Sequence, residues 1–138
     1  MSTLLTLEFE GLPPTVNSMY RNVGSRRYKQ PEVQDWQEEI SSLMAEEWNK
    51  VEKNSPVPHE RPPYRRQVAA EIELTSKDRR GWDIDNRLKS LLDCLELAGV
   101  LVNDSQIDSL KVTRNYGEGN KTRIILMEYK QDGYDDRP

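Results

Sequence analysis

Histidine and cysteine are almost missing from this chain of 138 residues, and their scarcity removes several chemistries at once. The single histidine, His59, lies in a proline-rich stretch, so neither a serine-type triad nor a zinc site has its parts. The single cysteine, Cys94, excludes an internal disulfide and fits a reducing cytoplasm. It falls mid-helix with no basic neighbour placed to activate it, and reads as a packing residue. No apolar run approaches the ~20 residues that span a bilayer, so no membrane segment is expected. Nor does Met1 to Glu10 carry the basic region of a signal peptide. A glycine-rich loop of the nucleotide-binding kind is also absent.

What is present is a lean, heavily solvated chain, 35% hydrophobic and 32% charged, of a length that suits one domain. So lean a core suits a protein that finishes burying itself against a partner subunit. The net charge of −4 argues at first against nucleic acid. Its distribution argues the other way. From Gly11 to Pro31 there is no acid, while Arg21, Arg26, Arg27 and Lys29 are basic, and Lys77, Arg79 and Arg80 form a second basic group. Much of the acid is gathered between Glu32 and Lys53 and in the tail. An acidic protein can therefore still present a basic face to DNA, with Tyr20 and Tyr28 interleaved among the first group.

Leu5, Leu7 and Phe9 alternate with polar residues and predict an opening strand, stopped by Gly11-Leu12-Pro13-Pro14. A polar, basic loop is expected from there to Gln30. Pro31 suits the first turn of a helix, and Val33, Trp36, Ile40, Leu43, Met44, Trp48 and Val51 recur at helical spacing after it. Four prolines between Pro56 and Pro63 mark a loop. Val68, Ala70, Ile72 and Leu74 predict a second strand. A second helix is expected from about Asp85 to Ala98, with Leu88, Leu91, Leu92, Leu95 and Ala98 as its buried stripe and Gly99 as its left-handed end. Leu110 to Arg114 and Thr122 to Tyr129 are expected to pair as a hairpin around Gly117 and Gly119. The order β-α-β-α-β-β describes a small single α/β domain over 1–130, with two main helices on a mixed or largely antiparallel sheet, and a frayed acidic tail over 131–138.

The richest stretch is Trp82-Asp83-Ile84-Asp85-Asn86-Arg87-Leu88-Lys89, answered by Asn103-Asp104-Ser105-Gln106. Asp83 and Asp85 stand at the mouth of the second helix, Lys89 one turn on, and Asp104 in the turn after the helix. Taken alone, Asp85 is in place to cap the helix and Asp104 to stabilise its own turn. Capping does not account for Asp83, nor for Lys89 and Asp93 following Asp85 along one side of the helix. If the helix start faces the following turn, three carboxylates converge, and converging carboxylates suit a hard cation such as Mg²⁺ acting on phosphate. Spacing alone leaves both readings open.

These same residues resemble the RusA-type Holliday junction resolvases. The resemblance rests on Asp83-Ile84-Asp85-Asn86-Arg87-Leu88-Lys89, Leu92-Asp93, Ala98-Gly99-Val100-Leu101 and Asp104-Ser105-Gln106, with Leu12-Pro13-Pro14-Thr15-Val16-Asn17-Ser18-Met19-Tyr20 similar to the family's opening segment. It implies a Mg²⁺-dependent endodeoxyribonuclease, with Mn²⁺ as a substitute, that binds four-way DNA junctions as a homodimer. Each subunit would cut one of two opposed strands, leaving nicks that a ligase can seal. Carried over, the metal-binding residues are Asp83, Asp85 and Asp104, and the active-site lysine is Lys89; Asp93 and Asn103 are supporting candidates. Such proteins are bacterial or carried by phages and prophages. Two features depart from the pattern: Asn103 stands where an acid is common, and the net charge is acidic. The rival expectations are a junction-binding module without catalysis and a Mg²⁺-dependent hydrolase of small phosphate esters.

Overall fold

The computed structural model describes residues 2–15, 20–54 and 63–129, the side chains at 20, 21 and 51–54 excepted. The expectations for His59, the 131–138 tail and the side chains of Tyr20, Arg21 and Val51 lie outside the described residues. The elements run β1 (Thr3–Glu10), β2 (Tyr20–Val23), β3 (Arg26–Lys29), α1 (Pro31–Asn54), β4 (Val68–Ser76), α2 (Leu88–Leu97), β5 (Ile107–Tyr116) and β6 (Lys121–Glu128). Short 3₁₀ turns, Asp85–Arg87 and Asp104–Gln106, flank α2. Among the described residues no helix is long and apolar enough to cross a membrane.

Four strands form one mixed sheet in the order β1-β6-β4-β5. β6 is antiparallel to both β1 and β4, with Leu7 and Ile72 each opposite Ile124. β5 runs parallel to β4, with Val112 opposite Ile72. The hairpin expected of the last two strands is therefore not formed. Parallel neighbours need a crossover, and α2 supplies it as the middle of a β4-α2-β5 unit. The four-residue connection after β5 then passes over the end of β4, where the Gly117 amide donates to the Ser76 carbonyl at 3.0 Å. β4 belongs between the two because it is the most apolar strand: Val68, Ala70, Ile72 and Leu74 are each 0–1% exposed.

α1 and α2 cover one face of this sheet. Ile40, Met44 and Trp48 of α1 meet Leu91, Cys94 and Leu95 of α2 and the inward residues of β1, β4 and β6 in a single core. Each such side chain contributes roughly 1.5–3 kcal/mol by leaving water. The other face carries Glu8, Glu71, Glu73, Lys111 and Lys121, all exposed, with Lys121 paired to Glu8 at 3.0 Å.

The basic segment read as a loop instead forms a two-stranded ribbon, β2 paired with β3. Gly24 sits at φ +62 in its two-residue turn, a conformation that costs glycine little and permits so tight a reversal. The far end of α2 closes as expected. Gly99, at φ +73, donates to Glu96 and Val100 to Leu95, each at 3.0 Å, and buried Val100 packs beside buried Leu95.

Candidate active site

The site begins in the loop that leaves β4. The Ser76 hydroxyl and the Asp78 main chain bond to each other, and the Arg80 guanidinium grips the Asp78 carboxylate at 3.0 and 3.2 Å. Arg80 thereby holds the Asp78 carboxyl below its ordinary pKa. Next comes Trp82, whose ring lies between two guanidiniums, Arg87 at 5.1 Å and Arg114 at 5.4 Å from its centroid. Arg114, from β5, also donates to the Trp82 carbonyl and lies 5.6 Å from the Tyr116 ring. Arg87 donates to the Pro13 carbonyl at 2.7 Å, and partial burial lowers its pKa from the ordinary value. The residue just ahead of Asp83 is thus held through its ring and through its own backbone.

Asp83 and Asp85 project from this braced loop and are exposed. Asp85 was expected to cap the helix, and it does not. It opens the 3₁₀ turn Asp85–Arg87, whose preceding residue is Ile84, and no side chain caps either that turn or α2. A 3₁₀ lead-in moves the start of α2 to Leu88, where Asp85 is no longer the flanking residue. Among the described residues no hydrogen bond or ion pair engages Asp83 or Asp85. Two oxygen-donor groups therefore stand free near the positive end of a helix dipole. One turn on, Lys89 is paired with Asp93 at 3.3 Å.

Asp104 stands elsewhere. Its amide donates to the Glu96 carboxylate at 2.8 Å, in the last turn of α2. From Asp85 to Glu96 the helix rises roughly 16 Å at ~1.5 Å per residue. The turn after the helix abuts its end and not its start, so the expected convergence does not arise in this way. Among the described residues no three Asp, Glu, His or Cys side chains gather as a cation site. The Asp83–Asp85 pair suits a hard cation, whose ligands are oxygens; the full trio is not assembled within one chain.

The turn that carries Asp104 is firmly built. Asn103 accepts the Ser105 amide at 2.8 Å, and Gln106 accepts the Asn103 amide at 3.0 Å, a reciprocal cap. Gln106, 7% exposed, also accepts from Val102 and donates to the Tyr64 and Arg66 carbonyls. The Asn103 side-chain oxygen is occupied in this cap.

The basic candidates fall in two places. Arg26, Arg27 and Lys29 lie on the β2–β3 ribbon, and Lys77, Arg79 and Arg80 on the loop leading to Asp83. Lys29 donates to buried Gln37 at 2.7 Å, and Gln37 passes the contact to the Ser90 carbonyl of α2 at 3.0 Å. The ribbon is thereby tied to the helix that follows the aspartates. Lys77, Arg80, Trp82 and Arg87 line a groove of about 470 Å³ beside Leu12 and Asn120.

Residues 10–127 match the family model described as Endodeoxyribonuclease RusA. The chain belongs to the RusA family. A crossover junction endodeoxyribonuclease RusA from Aquifex aeolicus (strain VF5) is 30% identical over 114 residues, covering 83% of this chain and 82% of that protein. Another, from Enterobacteria phage HK97, is 29% identical over 102 residues, 74% of this chain and 76% of its own length. The resemblance read from the aspartate stretch is thus confirmed over most of the chain. Trp82 opens the aspartate stretch of this RusA-family sequence but had no role assigned to it there, and Arg114 lies outside that stretch. The tryptophan is adjacent to Asp83 and offered a signal. Arg114 offered none, because only the parallel placement of β5 beside β4 brings it to that loop.

Proposed function

We propose that this RusA-family endodeoxyribonuclease resolves four-way (Holliday) DNA junctions in recombination and repair, as a Mg²⁺-dependent homodimer making paired, symmetric cuts. The observation that carries the reading is the unengaged Asp83–Asp85 pair on a braced loop that also presents exposed Lys77 and Arg79. A junction offers two equivalent strands, and a twofold dimer offers two equivalent sites. The cut is phosphodiester hydrolysis: a water oxygen bonds to phosphorus as the bond to the leaving sugar oxygen breaks.

In this reading Asp83 and Asp85 would hold the metal, joined by Asp104 only across the homodimer, and the metal would supply charge neutralisation at the phosphoryl group when bound. Lys89 Nζ, one turn past Asp85, presents a fixed positive charge toward the phosphate or the attacking water. The basic ribbon and the Lys77 to Arg80 loop take the DNA backbone, which makes binding steeply salt-dependent. Mn²⁺ substitutes for Mg²⁺ because it accepts the same oxygen donors.

The test is cleavage of a labelled mobile four-way junction beside a linear duplex of the same sequence, with Mg²⁺ and with EDTA. Symmetric nicks in the junction alone, abolished by EDTA and by Asp85→Asn, are expected. Binding without cutting would reassign the chain as a junction-binding module, and equal cutting of both DNAs would make it a general nuclease.

A further inference from the structure

Resting on that reading, we propose that Arg114 is a positioning residue of the cleavage centre: by holding the peptide plane between Trp82 and Asp83, it sets where Asp83 presents its carboxylate to the cation. Arg114 acts through Asp83 and contacts neither the cation nor the DNA.

The Trp82 carbonyl and the Asp83 amide belong to one rigid plane that ends at the Asp83 Cα, so a donor fixed on that carbonyl fixes the Asp83 backbone as well. Arg114 is that donor. The Trp82 ring packs against the core, which settles where the residue sits, and among the described residues its buried indole N–H has no partner. The direction of the chain beyond the ring is therefore left to the carbonyl contact. The loop's other bonds do not reach this peptide. Asp78 and Arg80 bond to each other within the loop, and the Lys77 amide donates to Asn120 at 3.0 Å where the loop leaves β4. Arg87 lies over the same ring from the turn that carries Asp85, and its hydrogen bond goes to Pro13.

The fold commits Arg114 to this contact. β5 runs parallel to β4 with Arg114 opposite buried Leu74, so the side chain rises on the side of the sheet that the helices cover. A charge partly buried there needs partners. Among the described residues no carboxylate supplies one. The partners are the Trp82 carbonyl and two rings, Trp82 at 5.4 Å and Tyr116 at 5.6 Å from their centroids. A planar guanidinium donates to a carbonyl and stacks on rings at once, which a lysine ammonium does not. Among the described residues no hydrogen bond or ion pair engages Asp83, so the backbone ahead of it is what orders it before a cation arrives. Removing a group that orients a metal ligand in this way costs about 10–100-fold in cation affinity.

Arg114→Met and Arg114→Gln test this, since neither side chain can hold the carbonyl and stack on both rings. Circular dichroism checks that they fold, and if one does not, the other carries the comparison. Calorimetry with Mn²⁺ alone is expected to give a dissociation constant at least ~10-fold above wild type. In cation-free protein, hydrogen exchange of the amides from Gly81 to Asp85 is expected to quicken. Junction cutting should fall at low Mg²⁺ and recover at high Mg²⁺, with the KM for the junction unchanged. Junction affinity in EDTA, and its dependence on salt, should match wild type. A Mn²⁺ affinity within about twofold of wild type in a folded variant would overturn the positioning role. So would weaker junction binding in EDTA with the slope of log affinity against log salt reduced by about one unit, because Arg114 would then be a phosphate contact. A wild-type protein that binds Mn²⁺ but leaves junctions uncut would defeat the resolvase reading instead, and the calorimetric and exchange arms would still decide the role of Arg114.

Discussion

Replacing Gln106 with alanine is the most demanding test of how the Asp104 turn is held. The carboxamide of Gln106 makes four hydrogen bonds to the backbone: it accepts from Val102 at 2.8 Å and Asn103 at 3.0 Å, and donates to Tyr64 at 2.8 Å and Arg66 at 2.9 Å. It joins the turn after α2 to the segment entering β4. A hydrogen bond of this kind contributes about 1 kcal/mol net, and a buried partner left unpaired costs about 1–3 kcal/mol. The Val102 and Asn103 amides lie beside exposed residues and regain water; the Tyr64 carbonyl lies under a side chain only 7% exposed and does not. The sum is roughly 2–4 kcal/mol, which for a domain near this size lowers the melting temperature by about 10 °C. Differential scanning calorimetry of wild type and Gln106→Ala under identical buffer reads it directly. Junction cleavage should fall further than the loss of folded protein explains, because Asp104 hangs from the same turn. A melting temperature within about 1 °C of wild type would refute this account of the turn.

Other outcomes follow from particular residues. Burial pushes the Cys94 thiol from 9.0 to about 12, so it should resist a disulfide reagent in native protein at pH 8 and react once per chain in denaturant. Between those two pH values the unfolded chain gives up a proton that the folded chain keeps, so stability to denaturant should decline as pH rises from 9 toward 12. Gly99→Ala puts a Cβ on a residue at φ +73 with nothing within 4 Å, so its cost is backbone strain alone, about 1–2 kcal/mol on a urea midpoint. Arg79→Ala should weaken junction binding evenly across DNA sequences and reduce the slope of log affinity against log salt by about one unit in a binding titration.

Much of the fold was legible because it is written in local periodicity. Alternation in Leu5 to Phe9 and Val68 to Leu74 gave two strands, and the spacing from Val33 to Trp48 gave the long helix. Gly99 marked the end of α2 because few other residues take its conformation cheaply. The β2–β3 ribbon was missed for the converse reason. Its described side chains are exposed from Asn22 to Tyr28, so no burial pattern distinguishes them from a loop, and Gly24 alone was too small a signal. The pairing of the last two strands was misjudged because alternation reports which face a strand buries and says nothing of which neighbour it takes.

At the site, sequence alone determined the chemistry on offer: two closely spaced carboxylates, a lysine one turn on, and basic residues upstream, with triads, zinc and disulfides excluded by composition. Those are properties of residue type and of spacing along a single helix, which is rigid enough to be read from its period. Tertiary structure decided the rest. It set β4 between β5 and β6, which delivered Arg114 to the backbone of Trp82. It also tied the Asp104 turn to Glu96 at the end of α2, apart from the aspartate pair at its start. Such placements depend on how separate elements pack, and a packed core fixes distances between residues that no spacing along the chain can express.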